Sequence, residues 1–119
     1  RGTVNRQKVQ QARIEAETLE ALQAETRQQI ILDVINQYYA LQAAYESVRA
    51  AQKQKRSATR AFELIHRKYA EGTSSLLELI DARTSMTTAS ANLIIARSEY
   101  FSRLAEFESA TGTIRIQQD

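Results

Sequence analysis

Apolar residues recur along this chain at alternating intervals of three and four, the signature of a helix that buries one stripe against another helix. In the first half, Ile31, Val34, Tyr38, Leu41, Tyr45 and Val48 keep the rhythm; after a slip at Ala51, Lys55, Ala58, Phe62, Ile65 and Tyr69 resume it. In the second half, Leu79, Ala82, Met86, Ala89, Leu93, Ala96, Tyr100, Leu104 and Phe107 do the same. Between the two series lies Glu71-Gly72-Thr73-Ser74, and glycine is the residue that most freely enters the left-handed conformation closing a helix. Arg67 and Lys68 come just before it, where cations meet the negative end of the helix dipole. Ser75-Leu76-Leu77-Glu78 follows with the spacing of a capping box, a helix start. The pattern predicts an all-α fold: a long antiparallel coiled-coil hairpin with unequal arms, one helix over about 5–69, a tip turn at 71–74 and a second helix over about 75–111.

The inequality of the arms has a consequence. With the turn centred near Thr73, Thr111 falls opposite Ile35, and everything before that lacks a partner in the chain. Val9, Ala12, Ala16 and Leu19 nevertheless continue a three-four seam, so the upper arm expects a further helix, because long helices gain most of their stability from packing an apolar face. The seam fades through Gln23, Thr26 and Arg27, which predicts an irregular stretch there. Gly112 reads as the end of the second helix.

Composition agrees with long helices. There is no proline, cysteine or tryptophan and only three glycines in 119 residues, so no interior breaker interrupts either helix. A chain this short with unequal rods reads as one segment of a larger protein. The absence of cysteine excludes a disulfide framework and thiolate zinc sites. Sixteen basic residues against fourteen acidic give a net charge of +2, too small a field for phosphate binding, so nucleic acid is not an expected partner. No apolar run is long enough to cross a membrane as a helix. His66 has no second histidine or acidic cluster at ligand spacing, so no metal is expected. No nucleophile–base pair or phosphate loop can be assembled, so neither catalysis nor a cofactor is expected.

The stretch Lys68-Tyr-Ala-Glu-Gly-Thr-Ser-Ser-Leu-Leu-Glu-Leu-Ile-Asp-Ala-Arg83 carries a more specific signal. It resembles the hairpin tip of the TolC-like outer-membrane efflux family, in which an aromatic residue and a glycine precede small polar residues, an aliphatic pair and acids. Tyr69, Gly72, Thr73, Leu76, Leu77, Glu78, Asp81 and Ala82 fall on the matching positions. The opening Arg1-Gly2-Thr3-Val4-Asn5-Arg6 resembles the point where that family leaves its barrel strand, and Ala110-Thr111-Gly112 its return to the equatorial region. The resemblance implies a homotrimeric duct in the cell outer membrane. This segment would lie in the periplasm, with membrane contact only through a barrel outside it. A periplasmic adaptor protein and an inner-membrane pump would be its partners. An adaptor hairpin is a competing reading, but its Arg-Leu tip pattern is absent; a purely structural coiled coil would explain the heptads and not the tip.

Several residues acquire roles from the resemblance. Glu78 and Asp81 share a helix face; as plain helix-start acids they would favour the positive end of the dipole, and in the family they match the pair lining the periplasmic constriction, where carboxylates select cations. Tyr69, Gly72, Thr73, Ser74 and Ser75 match the tip and its adaptor contact. Ser74 stands where the family pattern has a basic residue, so a salt-bridge lock at that place is not implied. Arg49, Lys53, Arg56, Arg60 and Arg67 fall on one face of the first helix. Seven basic residues and one acidic lie between Arg49 and Lys68, a solvated face or a contact stripe for neighbouring hairpins or the adaptor. Thr84, Ser85, Thr87, Thr88, Ser90 and Asn92 make the start of the second helix small and polar, which would let hairpins pack closely beside a wet lumen and would equally suit an ordinary exposed face.

Overall fold

A computed structural model describes residues 2–118, the side chains of 113, 114, 117 and 118 excepted. Its first helix, α1, runs Gly2–Ala70 and its second, α2, Leu76–Gln118. The two lie antiparallel and give a rod of 105 × 24 × 13 Å, two helices wide and one helix thick. Among the described residues there is no strand.

The reversal is built from backbone bonds. Gly72 sits at φ 78°. Its amide donates to the Tyr69 carbonyl (3.0 Å), and the Thr73 amide reaches back to the Lys68 carbonyl (2.8 Å). These are the two bonds of a Schellman cap, which satisfy carbonyls that the last turn of α1 would otherwise leave open. The Thr73 hydroxyl also donates to the Lys68 carbonyl (3.0 Å). Two residues on, Ser75 starts α2: its Oγ accepts the Glu78 amide (3.1 Å) and its carbonyl accepts the Leu79 amide (3.1 Å). Such an N-cap is worth about 1 kcal/mol. The expected reciprocal half of the capping box is replaced, because the Glu78 carboxylate accepts the Ser74 hydroxyl at 2.6 Å.

The core is thin. Ala44, Ala51, Ala89 and Leu93 are its buried residues, and three alanines among four mean the helices meet closely with little side chain between them. All nine expected seam positions of α2, from Leu79 to Phe107, are half-buried or buried. In α1 the seam lies one residue from the expected one over its upper part. Ile30, Gln37 and Ala44 face α2, while Ile31, Tyr38 and Tyr45 are about half exposed. Ala44 permits close approach, and the tyrosines, too bulky for the centre, lean over its edge onto α2. Tyr38 meets Phe107 at 6.1 Å and Tyr45 meets Tyr100 at 6.2 Å between ring centroids. With the seam so placed, Ile30, Val34, Gln37, Leu41, Ala44, Val48, Ala51, Lys55, Ala58, Phe62, Ile65 and Tyr69 form one uninterrupted series. The expected slip at Ala51 is absent. Lys55 and Tyr69 keep the phase but are exposed.

Three further expectations are corrected. Gln23 to Arg27 is regular helix; polar residues in the seam deprive it of packing without breaking hydrogen bonds that helix formers keep. Gly112 does not end α2, which continues to Gln118; Gly72 is the glycine with positive φ, and Gly112 stays helical. Helix α1 begins at Gly2 rather than near Asn5. Residues 2–29 are exposed throughout, as expected of an arm that extends past its partner helix. No helix among the described residues is long and apolar enough to cross a membrane.

Candidate functional site

The ring pairs Tyr38–Phe107 and Tyr45–Tyr100 fix both the register and the sides of the hairpin. They place Arg67 at the height of Glu78, Arg60 at Ser85, Lys53 at Asn92 and Arg49 at Ala96. They also show which flank of α1 shares a side with which flank of α2, so the heptad phase sorts exposed residues into two broad sides and two edges.

One broad side is small and polar. On α2 it carries Glu78, Asp81, Ser85, Thr88, Asn92, Glu99, Ser102 and Glu106, with Ile95 the apolar exception; on α1 it carries Ser47, Ala50, Gln54, Ser57, Ala61 and, near the tip, Lys68, with Leu64 the apolar exception. Arg103 bonds both Glu99 (2.9 Å) and Glu106 (3.3 Å), which offsets one of the two negative charges of the upper stripe. Near the tip Glu78 is engaged by uncharged partners, and the Asp81 side chain has no hydrogen bond or ion pair among the described residues. The other broad side carries Tyr38, Tyr45, Leu76, Ile80, Ile94 and Phe101 together with Arg83 and Arg97, and its aliphatic and phenyl members are more than half exposed. The acidic pair therefore lies at the tip end of a mostly hydrophilic stripe that Ile95 interrupts.

The tip itself exposes apolar surface. Leu77 is 68% exposed, and Leu76, Ile80 and Tyr69 are 42–55% exposed. Sequence reasoning did not foresee this for Leu76, Leu77 and Ile80, although the signal was present: all three are out of phase with the Leu79–Ala82–Met86 seam. The five expected basic residues share the edge of α1 that turns away from α2. Arg49 pairs with Glu46 (3.7 Å); Lys53, Arg56, Arg60 and Arg67 have no ion pair among the described residues, and Glu63 interrupts the row. His66 lies beside Phe62, ring centroids 5.7 Å apart and tilted by 44°, and no cluster among the described residues could hold a metal ion.

A family model described as outer membrane efflux protein matches residues 2–113, both arms and the tip together. The chain belongs to the outer membrane efflux protein family. No curated protein and no solved structure gives a significant match. The family is one of transport channels rather than enzymes.

Within an outer membrane efflux protein, the hairpin brings Tyr69, Gly72, Thr73, Ser74 and Ser75 together at one end, with Glu78 and Asp81 one to two turns up α2. The basic row does not join them. It occupies a separate edge and begins at the height of Glu78.

Proposed function

We propose that this hairpin is a wall and entrance segment of a trimeric outer-membrane efflux duct, which receives small molecules from an inner-membrane pump through a periplasmic adaptor. The observation that carries this reading is the division of a one-helix-thick hairpin into a small, polar, acid-tipped side and an aromatic, basic side, in a chain whose family is outer membrane efflux protein. A wall one helix thick must present one side to water in the lumen, and a mostly hydrophilic surface, broken at Ile95 and Leu64, lets solutes pass with little sticking. The polar side faces the lumen. Glu78 and Asp81 then ring the periplasmic entrance in every copy and favour cations there. Ser74 takes up the Glu78 carboxylate in place of a basic lock, and the exposed tip of Tyr69, Leu76 and Leu77 offers the adaptor an apolar landing.

Cysteine accessibility in the assembled channel tests the reading, on a background that contributes no cysteine from this chain. Cysteines at Ser85, Thr88 and Asn92 should react with a charged, membrane-impermeant thiol reagent and cut single-channel current; cysteines at Ile94 and Phe101 should react without changing it. Glu78→Gln with Asp81→Asn should lower cation selectivity and block by multivalent cations. Current insensitive to all five cysteines would end the duct reading, and block from the Ile94 side would reverse the orientation.

A further inference from the structure

Two seams run side by side through the upper half of the hairpin, and both helices carry them. On α1 the packed series Ile30, Gln37 and Ala44 and the flanking series Ile31, Tyr38 and Tyr45 alternate with the same three half-buried residues, Val34, Leu41 and Val48. On α2 the duplication falls at matching heights. Opposite Leu41 both Arg103 and Leu104 are half-buried, and opposite Val34 both Ala110 and Thr111 are. The packed seam holds Gln37, whose Oε1 is buried with no hydrogen-bond partner among the described residues. The pairs on which the other seam would be built already touch: Tyr38 meets Phe107 at 6.1 Å and Tyr45 meets Tyr100 at 6.2 Å. Independently of the duct reading, we infer that this half of the hairpin has two packings, exchanged when α1 and α2 roll in opposite senses and turn their aromatic side into the seam.

The roll is small. Each helix turns by about 50°, half the angle between successive residues, while Val34, Leu41 and Val48 stay in the interface. It exchanges Gln37 and Arg103 for Tyr38 and Leu104. Opposed preferences hold the balance. Ala44, 7% exposed, lets the helices approach closely in the present packing, and the Gln42 amide donates to the Tyr38 hydroxyl at 2.8 Å and keeps that ring on the flank. Against this stand a buried polar atom without a partner, which costs free energy, and two tyrosines left about half exposed. The rolled packing releases Gln37 to water and buries both rings, and it requires the helices to stand further apart. Two packings so opposed within one sequence make a bistable element. The roll stops near Ala51. Below it the residues that would enter the second seam are Gln52, Thr59 and His66 on α1 and Arg97, Ser90 and Arg83 on α2. They are too polar to replace Ala51, Ala89 and Leu93, which are buried. The tip therefore keeps its packing while the upper half turns Gln37 and Ala44 toward the polar side and withdraws Tyr38 and Tyr45 from the aromatic side. Anything that covers the tyrosines where they now lie favours the present packing, because it binds the two states unequally.

Spin labels placed outside both seams read the roll. One pair sits on cysteines at Ile35 and Glu108 on the aromatic side, and a second, in a separate sample, at Ala43 and Ser102 on the polar side; all four positions are exposed. Distances are measured by electron paramagnetic resonance in the full-length channel in membranes, with labelled copies diluted by unlabelled ones so that pairs within one hairpin are read. The expected result is two distances for each pair. The minor one is shorter by several ångströms on the aromatic side and longer by several on the polar side, and the two minor fractions agree. Gln37→Leu, which removes the unpartnered oxygen, should lower the minor fraction several-fold. Ala44→Gln, which sets a long polar side chain where the helices approach closely, should raise it several-fold. A single distance for each pair in the unsubstituted chain overturns the inference, as do minor fractions that ignore both substitutions. Second distances that are longer on both sides also overturn it, since they mean that the helices splay instead of rolling.

Discussion

Replacing Gly72 by alanine isolates the energetics of the reversal. The residue sits at φ 78°, and a Cβ added there would meet no atom within 4 Å, so the change introduces no collision with neighbouring groups. Its cost is confined to the local clash of a Cβ with its own carbonyl in the left-handed conformation, about 1–2 kcal/mol. The stiffer unfolded chain returns part of this, roughly 0.4–1 kcal/mol. The net destabilisation is about 1 kcal/mol, which corresponds to a fall in Tm of about 4 °C for a domain of this size. Gly72→Asn should cost less, since asparagine visits the left-handed region more readily. Thermal melts followed by far-ultraviolet circular dichroism give the stability. Hydrogen exchange at the Thr73 amide, which bonds the Lys68 carbonyl, reports the cap itself. An unchanged or raised Tm would mean the turn does not use the left-handed conformation. A loss above about 3 kcal/mol would exceed local strain and mean that the tip is packed where the structure leaves it open.

Two other perturbations probe the thin core. Ala89 is fully buried, so Ala89→Leu should force the helices apart and cost about 1–3 kcal/mol, read as a lower denaturant midpoint; a neutral result would place the seam elsewhere. Gln37 is the opposite case: its Oε1 is buried with no hydrogen-bond partner among the described residues. Gln37→Leu should therefore stabilise by about 1 kcal/mol, and a destabilised variant would mean that the amide has found a partner.

The element type and the reversal were legible because each had several independent signals: heptad spacing, absence of breakers, and glycine followed by a serine cap. The seam of α2 was legible to the residue because one three-four series runs from Leu79 to Phe107, and the apolar residues beside it, Ile80, Ile94, Ile95 and Phe101, do not form a second unbroken series. In α1 two ladders run side by side, Ile30-Gln37-Ala44 and Ile31-Tyr38-Tyr45. Hydrophobicity favours the second, whereas the close approach of two alanine-rich helices selects the first and displaces the tyrosines to the flank. No count of apolar residues reveals that preference, since it depends on the size of what the opposite helix presents. Gly112 misled for a related reason: glycine ends a helix where the chain must turn, and nothing requires it to turn there. The acids near the tip were legible as a pair. Their place at the end of a polar side running the length of α2 became visible only when the ring contacts fixed which flanks of the two helices coincide.

The claim on which everything else depends is that the backbone reverses at Gly72 and α2 returns along α1. Spin labels on cysteines at Ser47 and Ser98, both exposed, test it by pulsed electron paramagnetic resonance. Helices packed about 8–10 Å apart bring the labels to within about 30 Å of one another, and that is the predicted distance. A continuous rod would separate them by about 75 Å at 1.5 Å per residue, and a distribution centred there would contradict the account.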